Sequence, residues 1–214
     1  MIYCERIDAT FWAEPVNAVT NLAFILAAFA IAHTLSRYDQ AVRKVWDLWL
    51  LAGLIAAIGI GSFLWHTLAT PWAAVTDVVP ILLFINVFLL SFLVRIVKLG
   101  PWAVAGWFVT FQVVNVGLLL ATPADALNSS VFYLPIWATL WLMVAYCWRN
   151  GSGGRQAMLA AGLAFTLSLT LRTIDIDLCR AWPLGTHFAW HLLNGLVLYL
   201  VTMALVTVHR QEHV

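Results

Sequence analysis

The stretch WDLWLLAGLIAAIGIGSFLWH, residues 46–66, is a continuous apolar run. It is long enough to cross a bilayer as a helix, which takes about 20 residues. Working outward from it, further apolar runs occupy approximately 16–35, 78–94, 102–121, 131–148, 156–171 and 187–208. They are separated by short polar segments at 36–45, 67–77, 95–101, 122–130, 149–155 and 172–186. The runs are unbroken rather than the ten-residue alternating segments of a membrane barrel, so helices are expected. The short connections suit an antiparallel arrangement of neighbouring helices. The expected fold is an all-α integral membrane bundle of seven transmembrane helices in a single domain spanning residues 1–214.

Composition agrees with this reading. Hydrophobic residues make up 63% of the 214 positions and charged residues 10%, against roughly 45–50% and 25% in soluble domains. A net charge of +1 without a basic run argues against nucleic acid as a partner, because phosphate binding needs clustered Lys and Arg. No obligate protein partner is evident either, and lipid is the expected surrounding. Residues 1–16 carry Glu5, Arg6, Asp8 and Glu14 where a signal peptide would be apolar, so the first helix is expected to direct insertion. The expected location is a multi-pass position in the cell membrane of a prokaryote or an organelle membrane of a eukaryote.

Orientation follows from charge. With the N-terminus outside and the C-terminus inside, Arg37, Arg43, Lys44, Arg95, Lys98, Arg149, Arg155 and Arg210 fall inside, leaving Arg6, Arg172 and Arg180 outside. That satisfies the positive-inside bias. Cys4 and Cys179 then share the outer face, where an oxidising compartment permits either a bridge or two free thiols. Cys147 lies near the opposite face.

Ionisable groups inside or beside a span are costly and mark candidate sites. His66 ends the second run, Asp77 is expected to open the third, and His187 and His191 open the seventh. Alternating helix direction brings all four to one face of the membrane. His187 and His191 are four residues apart, hence on one helical face, and so are Ser62 and His66. Three neutral imidazoles plus a water make an open tetrahedral zinc site of the catalytic kind. Such an ion lowers the pKa of a bound water to about 7, which makes hydrolysis the expected chemistry. Asp77 would act as general base or orient a ligand histidine, and Ser62 would steady an oxyanion. His33 is read as an interhelical hydrogen bonder, and His209 and His213 as solvated tail residues. Trp65, Trp72, Trp182 and Trp190 are read as an interfacial belt.

These positions resemble the alkaline ceramidase family, within a superfamily of seven-helix membrane hydrolases that includes the adiponectin receptors. The likeness rests on Ser62-x-x-x-His66, Asp77 and His187-x-x-x-His191, joined by Tyr3-Cys-Glu5, Glu14-Pro-Val-Asn17 and Asn21. It extends from residue 3 to about 195 on some fifteen positions. The resemblance implies a hydrolase that cleaves the amide of ceramide or a related N-acyl membrane lipid, with His66, His187 and His191 on zinc and Asp77 and Ser62 in catalysis. It further implies a Cys4–Cys179 disulfide and a calcium site drawing on Glu5, Glu14 and Asp8. Ile2 stands where the family has an aspartate, with Asp8 as the candidate substitute. Two other readings use the same histidines: a receptor-like or regulatory membrane protein with a structural zinc site, and a haem-binding electron carrier.

Overall fold

The computed structural model describes residues 3–38, 40–123 and 125–211. The elements in chain order are α1 (Pro15–Thr20), α2 (Leu22–Arg37), α3 (Gln40–Arg43), α4 (Trp46–Leu68), α5 (Pro71–Arg95), α6 (Pro101–Ala121), a 3₁₀ turn (Val131–Tyr133), α7 (Leu134–Arg149), α8 (Arg155–Thr173), α9 (Asp175–Leu178) and α10 (His187–Gln211). No strand occurs among the described residues. The core runs along α2, α4, α5, α7, α8 and α10, where Ile31, Leu48, Ile55, Phe92, Met158 and Leu205 are almost wholly buried.

Six segments are long and apolar enough to cross a membrane: Pro15–Arg37, Trp46–Leu68, Pro71–Arg95, Pro101–Ala121, Val131–Arg149 and His187–Gln211. They fit a multi-pass membrane protein. The expected sixth run, now α8, is not among them. Its hydropathy is lowered by Arg155, Gln156, Thr166, Ser168, Thr170, Arg172 and Thr173. Those threonines return their hydroxyls to the helix's own carbonyls, Thr166 to Gly162, Thr170 to Thr166 and Thr173 to Leu169, so the polar atoms are satisfied inside the helix. Gly154 at the start of α8 lies against Ala204 late in α10, while the Ser168 hydroxyl bonds the Trp190 carbonyl at 3.3 Å. The two helices therefore run antiparallel over most of their lengths.

The third run begins earlier than its apolar residues suggest. Thr70 caps α5 by accepting from the Ala73 amide, and Pro71 occupies the first turn, where its missing N–H and fixed φ suit a helix start. Asp77 consequently lies inside α5 rather than opening it. Pro80 cannot donate to the Thr76 carbonyl four residues before it. At this point Gly61 of α4 closes in: a Cβ at Gly61 would stand 1.9 Å from the Thr76 oxygen. The missing side chain lets α4 and α5 touch, which brings Ser62 beside Asp77.

Candidate metal centre

His66 comes from the last turn of α4, and His187 and His191 from the first two turns of α10. All three are buried. Each offers one ring nitrogen, and these atoms lie within 4.8 Å of one another. The expected triplet thus converges on one point, and its donor set could hold a metal ion.

The surroundings fix how the rings present themselves. His66 Nδ1 lies 2.5 Å from Glu14 Oε2, a carboxylate that orients an imidazole and leaves Nε2 facing inward. Thr20 Oγ1 lies 3.0 Å from His191 Nδ1 and also bonds the carbonyls of Val16 and Asn17. A hydroxyl has one hydrogen, and a carbonyl can only accept, so the hydroxyl donates to the main chain and accepts from the ring. That puts the His191 proton on Nδ1 and the lone pair on Nε2. His187 Nδ1 is buried without a hydrogen-bond partner, an orphan of the kind that native interiors rarely leave uncompensated. Two locked tautomers and one orphaned nitrogen, each contributed by an imidazole, suit a nitrogen-ligated metal such as zinc.

The N-terminal segment closes this end of the bundle. Cys4 and Cys179 form a disulfide with Cα atoms 5.2 Å apart, while Cys147 is a buried free thiol. The Tyr3 ring packs 4.0 Å from His187 and 4.9 Å from His66, centroid to centroid. Burial pushes the Tyr3 hydroxyl above its ordinary range, so it stays protonated. Arg6 pairs with Glu14 and donates to the His66 carbonyl at 2.8 Å, a cation at the C-terminal end of α4. Burial opposes the charge of Glu14, yet its bonds from His66, Asn17 and Arg6 prevail and hold the carboxyl below the usual glutamate range.

Asp175, fully buried, accepts from the amides of Cys4 at 3.2 Å, Thr186 at 2.6 Å and His187 at 3.0 Å. It caps the start of α10 and ties the N-terminal segment to it. Gly185 adopts a φ of +66°, and a Cβ there would lie 2.2 Å from Asp175 Oδ1. Sequence reasoning gave Tyr3 no contact with the histidines and assigned no role to Thr20 or Asp175. The single available signal was polar or aromatic residues clustered at the same membrane face.

Glu5, Glu14 and Asp8, the carboxylates of the expected calcium site, each bond groups of the protein. Glu5 accepts from the Val16 and Asn17 amides at the start of α1, Glu14 serves His66 and Arg6, and exposed Asp8 bonds Thr10. Among the described residues, the histidine triplet is the only cluster of three or more His, Cys, Asp or Glu side chains near enough to share an ion. Other readings also change. Trp190 is buried against Tyr133 and Phe165, and Trp65 lines the metal-centre cavity, whereas Trp72 and Trp182 are exposed. His209 is buried, with its Nδ1 3.4 Å from Arg95, because α10 extends to Gln211. His33 is exposed and stacks on Phe29 of its own helix. His213 lies outside the described residues.

A cavity of about 180 Å³ contains the three histidines together with Ser62, Asp77, Tyr3, Trp65 and Arg172. The Ser62 hydroxyl faces the Asp77 carboxylate. A second, almost wholly apolar chamber of about 110 Å³ adjoins it between α5, α7 and α10 and shares Phe24, Ile58, Ile81, Tyr133 and Trp190 with it.

Fold and site together describe a helical multi-pass membrane protein with a buried three-histidine centre at one end of its bundle. Comparison with known protein families and with curated protein sequences gives no match.

Proposed function

We propose that this protein is a zinc-dependent intramembrane hydrolase that cleaves the amide of ceramide or a related N-acyl lipid. The observation that carries the reading is one cavity holding His66, His187, His191, Asp77 and Ser62, adjoined by an apolar chamber. The resemblance to the alkaline ceramidases places the same residue types in the same order.

When bound, zinc supplies a Lewis acid and an activated water at neutral pH. Asp77 takes the proton from the attacking water and delivers it to the departing amine. Ser62 donates its hydroxyl to the carbonyl oxygen as negative charge develops there. Glu14 and Thr20 hold His66 and His191 in the tautomers that keep Nε2 available. The apolar chamber receives the acyl chain, which arrives from the bilayer rather than from water. In this reading α8 also spans the membrane and completes the set of seven, as its antiparallel course along α10 supports, and the metal centre lies at the outer face, as the distribution of Lys and Arg supports.

The test is bound-metal analysis with a fatty-acid release assay on ceramide, comparing wild type with His191→Ala and Asp77→Ala. Near-stoichiometric zinc in wild type is expected, with hydrolysis lost in both variants and zinc kept in Asp77→Ala. Zinc without turnover on any N-acyl lipid points to the receptor-like protein, and a haem spectrum in place of zinc points to the electron carrier.

A further inference from the structure

Arg172 stands in the same cavity as the histidines, and its surroundings differ from those of the other paired arginines. Arg6 has the Glu14 carboxylate and Arg95 has that of Asp47. Among the described residues no carboxylate lies within salt-bridge reach of Arg172. Its Nη1 donates to the Asn128 carbonyl and to Ser130 Oγ, both at 2.7 Å. The guanidinium lies over the rings of Tyr133 and Trp190, at 5.2 and 5.5 Å from their centroids, an arrangement that supports a cation without neutralising it. Neither acceptor is charged, and a guanidinium carries five N–H donors. Its Nε and Nη2 donors have no hydrogen bond among the described residues.

The supporting loop is built around this side chain. Asn128 Nδ2 donates back to the Arg172 carbonyl at 3.1 Å, so the two residues clasp each other. Leu127, Asn128 and Ser129 all have positive φ, between 52° and 58°, a conformation that side-chain-bearing residues adopt only when their surroundings impose it. The cation is therefore held in place rather than extended into water, as a half-buried Arg on a membrane protein otherwise would be. A positioned guanidinium with spare donors is suited to a planar or tetrahedral oxyanion.

We propose that Arg172 forms an anion-binding subsite beside the metal centre, selecting N-acyl lipids whose headgroup carries a phosphate or carboxylate. The inference rests on the lipid amide hydrolase reading for the class of ligand. The spare Nε and Nη2 donors, with no carboxylate in direct contact, and the clasp carry the anion preference itself. Among the described residues Asp77 is the one carboxylate lining the cavity, so an anionic headgroup is directed to the Arg172 side and the scissile amide toward Asp77 and the histidines.

Equilibrium binding in detergent tests this without requiring turnover. The probes are ceramide and ceramide 1-phosphate analogues with the amide replaced by a non-cleavable urea, together with oleate. Wild type should bind the phosphate-bearing analogue at least about tenfold tighter than the neutral one, as expected for a charge-assisted contact. Arg172→Gln should abolish that preference while leaving the neutral analogue's affinity within about twofold. Lack of preference in wild type overturns the subsite, as does a preference that survives in Arg172→Gln. If oleate binds as tightly as the phosphate lipid and depends equally on Arg172, the side chain holds a released acid and the headgroup assignment fails. Should Arg172→Gln not fold, Arg172→Lys serves, with the preference reduced because a point charge replaces the fork. A protein that hydrolyses ceramide yet shows no phosphate preference sinks this inference alone. One that shows the preference without hydrolysing any amide sinks the function alone.

Discussion

Glu14 touches three partners that belong to different parts of the chain: Arg6, Asn17 and His66. Replacing it with Gln keeps the shape but removes the charge that orients His66 and compensates half-buried Arg6. Loss of such a carboxylate partner typically costs about 10–100-fold in metal affinity, and competition with a zinc chelator should show a loss of that size. Unchanged zinc affinity would mean that Glu14 serves Arg6 alone. The histidine triplet itself was legible because His187 and His191 repeat at helical spacing, and because alternating helix direction brings His66 to their end of the bundle. Its supporters were not. Thr20 bonds His191 across 171 positions of sequence and Glu14 bonds His66 across 52, separations with no periodicity to betray them. Nothing local in the sequence says that Glu14 will bond a histidine 52 positions away.

At the scale of helices, the contact between α4 and α5 decides where Asp77 and Ser62 meet. Gly61→Ala puts a methyl group against the Thr76 carbonyl, where backbone stands on both sides and cannot be relieved by turning a side chain. Overpacking of this sort costs about 1–3 kcal/mol, and parting the helices also separates Ser62 from Asp77. The variant should unfold at lower temperature in detergent and lose hydrolysis. Gly53→Ala on the same helix is the control, because nothing lies within 4 Å of its added Cβ. It should be neutral or slightly stabilising, given the propensity of Ala over Gly in helices. Equal damage from both variants would locate the effect in helix propensity rather than in the contact. The apolar runs identified most of these helices, since continuous hydropathy needs only composition. The start of α5 was missed because Thr70, Pro71 and Asp77 look polar or helix-breaking in sequence while serving as cap, first turn and cavity lining. In α8 the serine and threonine content lowers hydropathy even though their hydroxyls are satisfied within the bundle.

Across the whole molecule, the N-terminal segment is joined to the last interhelical loop at the end that holds the histidine triplet. The Cys4–Cys179 bridge spans 175 residues. Asp175 lies between the Cys4 amide and the first turn of α10, and Tyr3 packs on two of the three histidines. The bridge therefore fastens the layer that covers the site, and a cross-link over so long a loop contributes about 2–5 kcal/mol where native geometry accommodates it. A Cys4→Ser, Cys179→Ser double variant should unfold at lower temperature than wild type and release zinc to a chelator faster, because Tyr3 and Asp175 lose their anchor together. A reducing agent should lower the unfolding temperature of wild type toward that of the double variant and leave the double variant unmoved. Cys147→Ser controls for the remaining thiol and should respond to reductant as wild type does. If reduction shifts stability without changing the rate of zinc release, the bridge holds the bundle's ends while Asp175 and the packing of Tyr3 suffice to keep the centre covered.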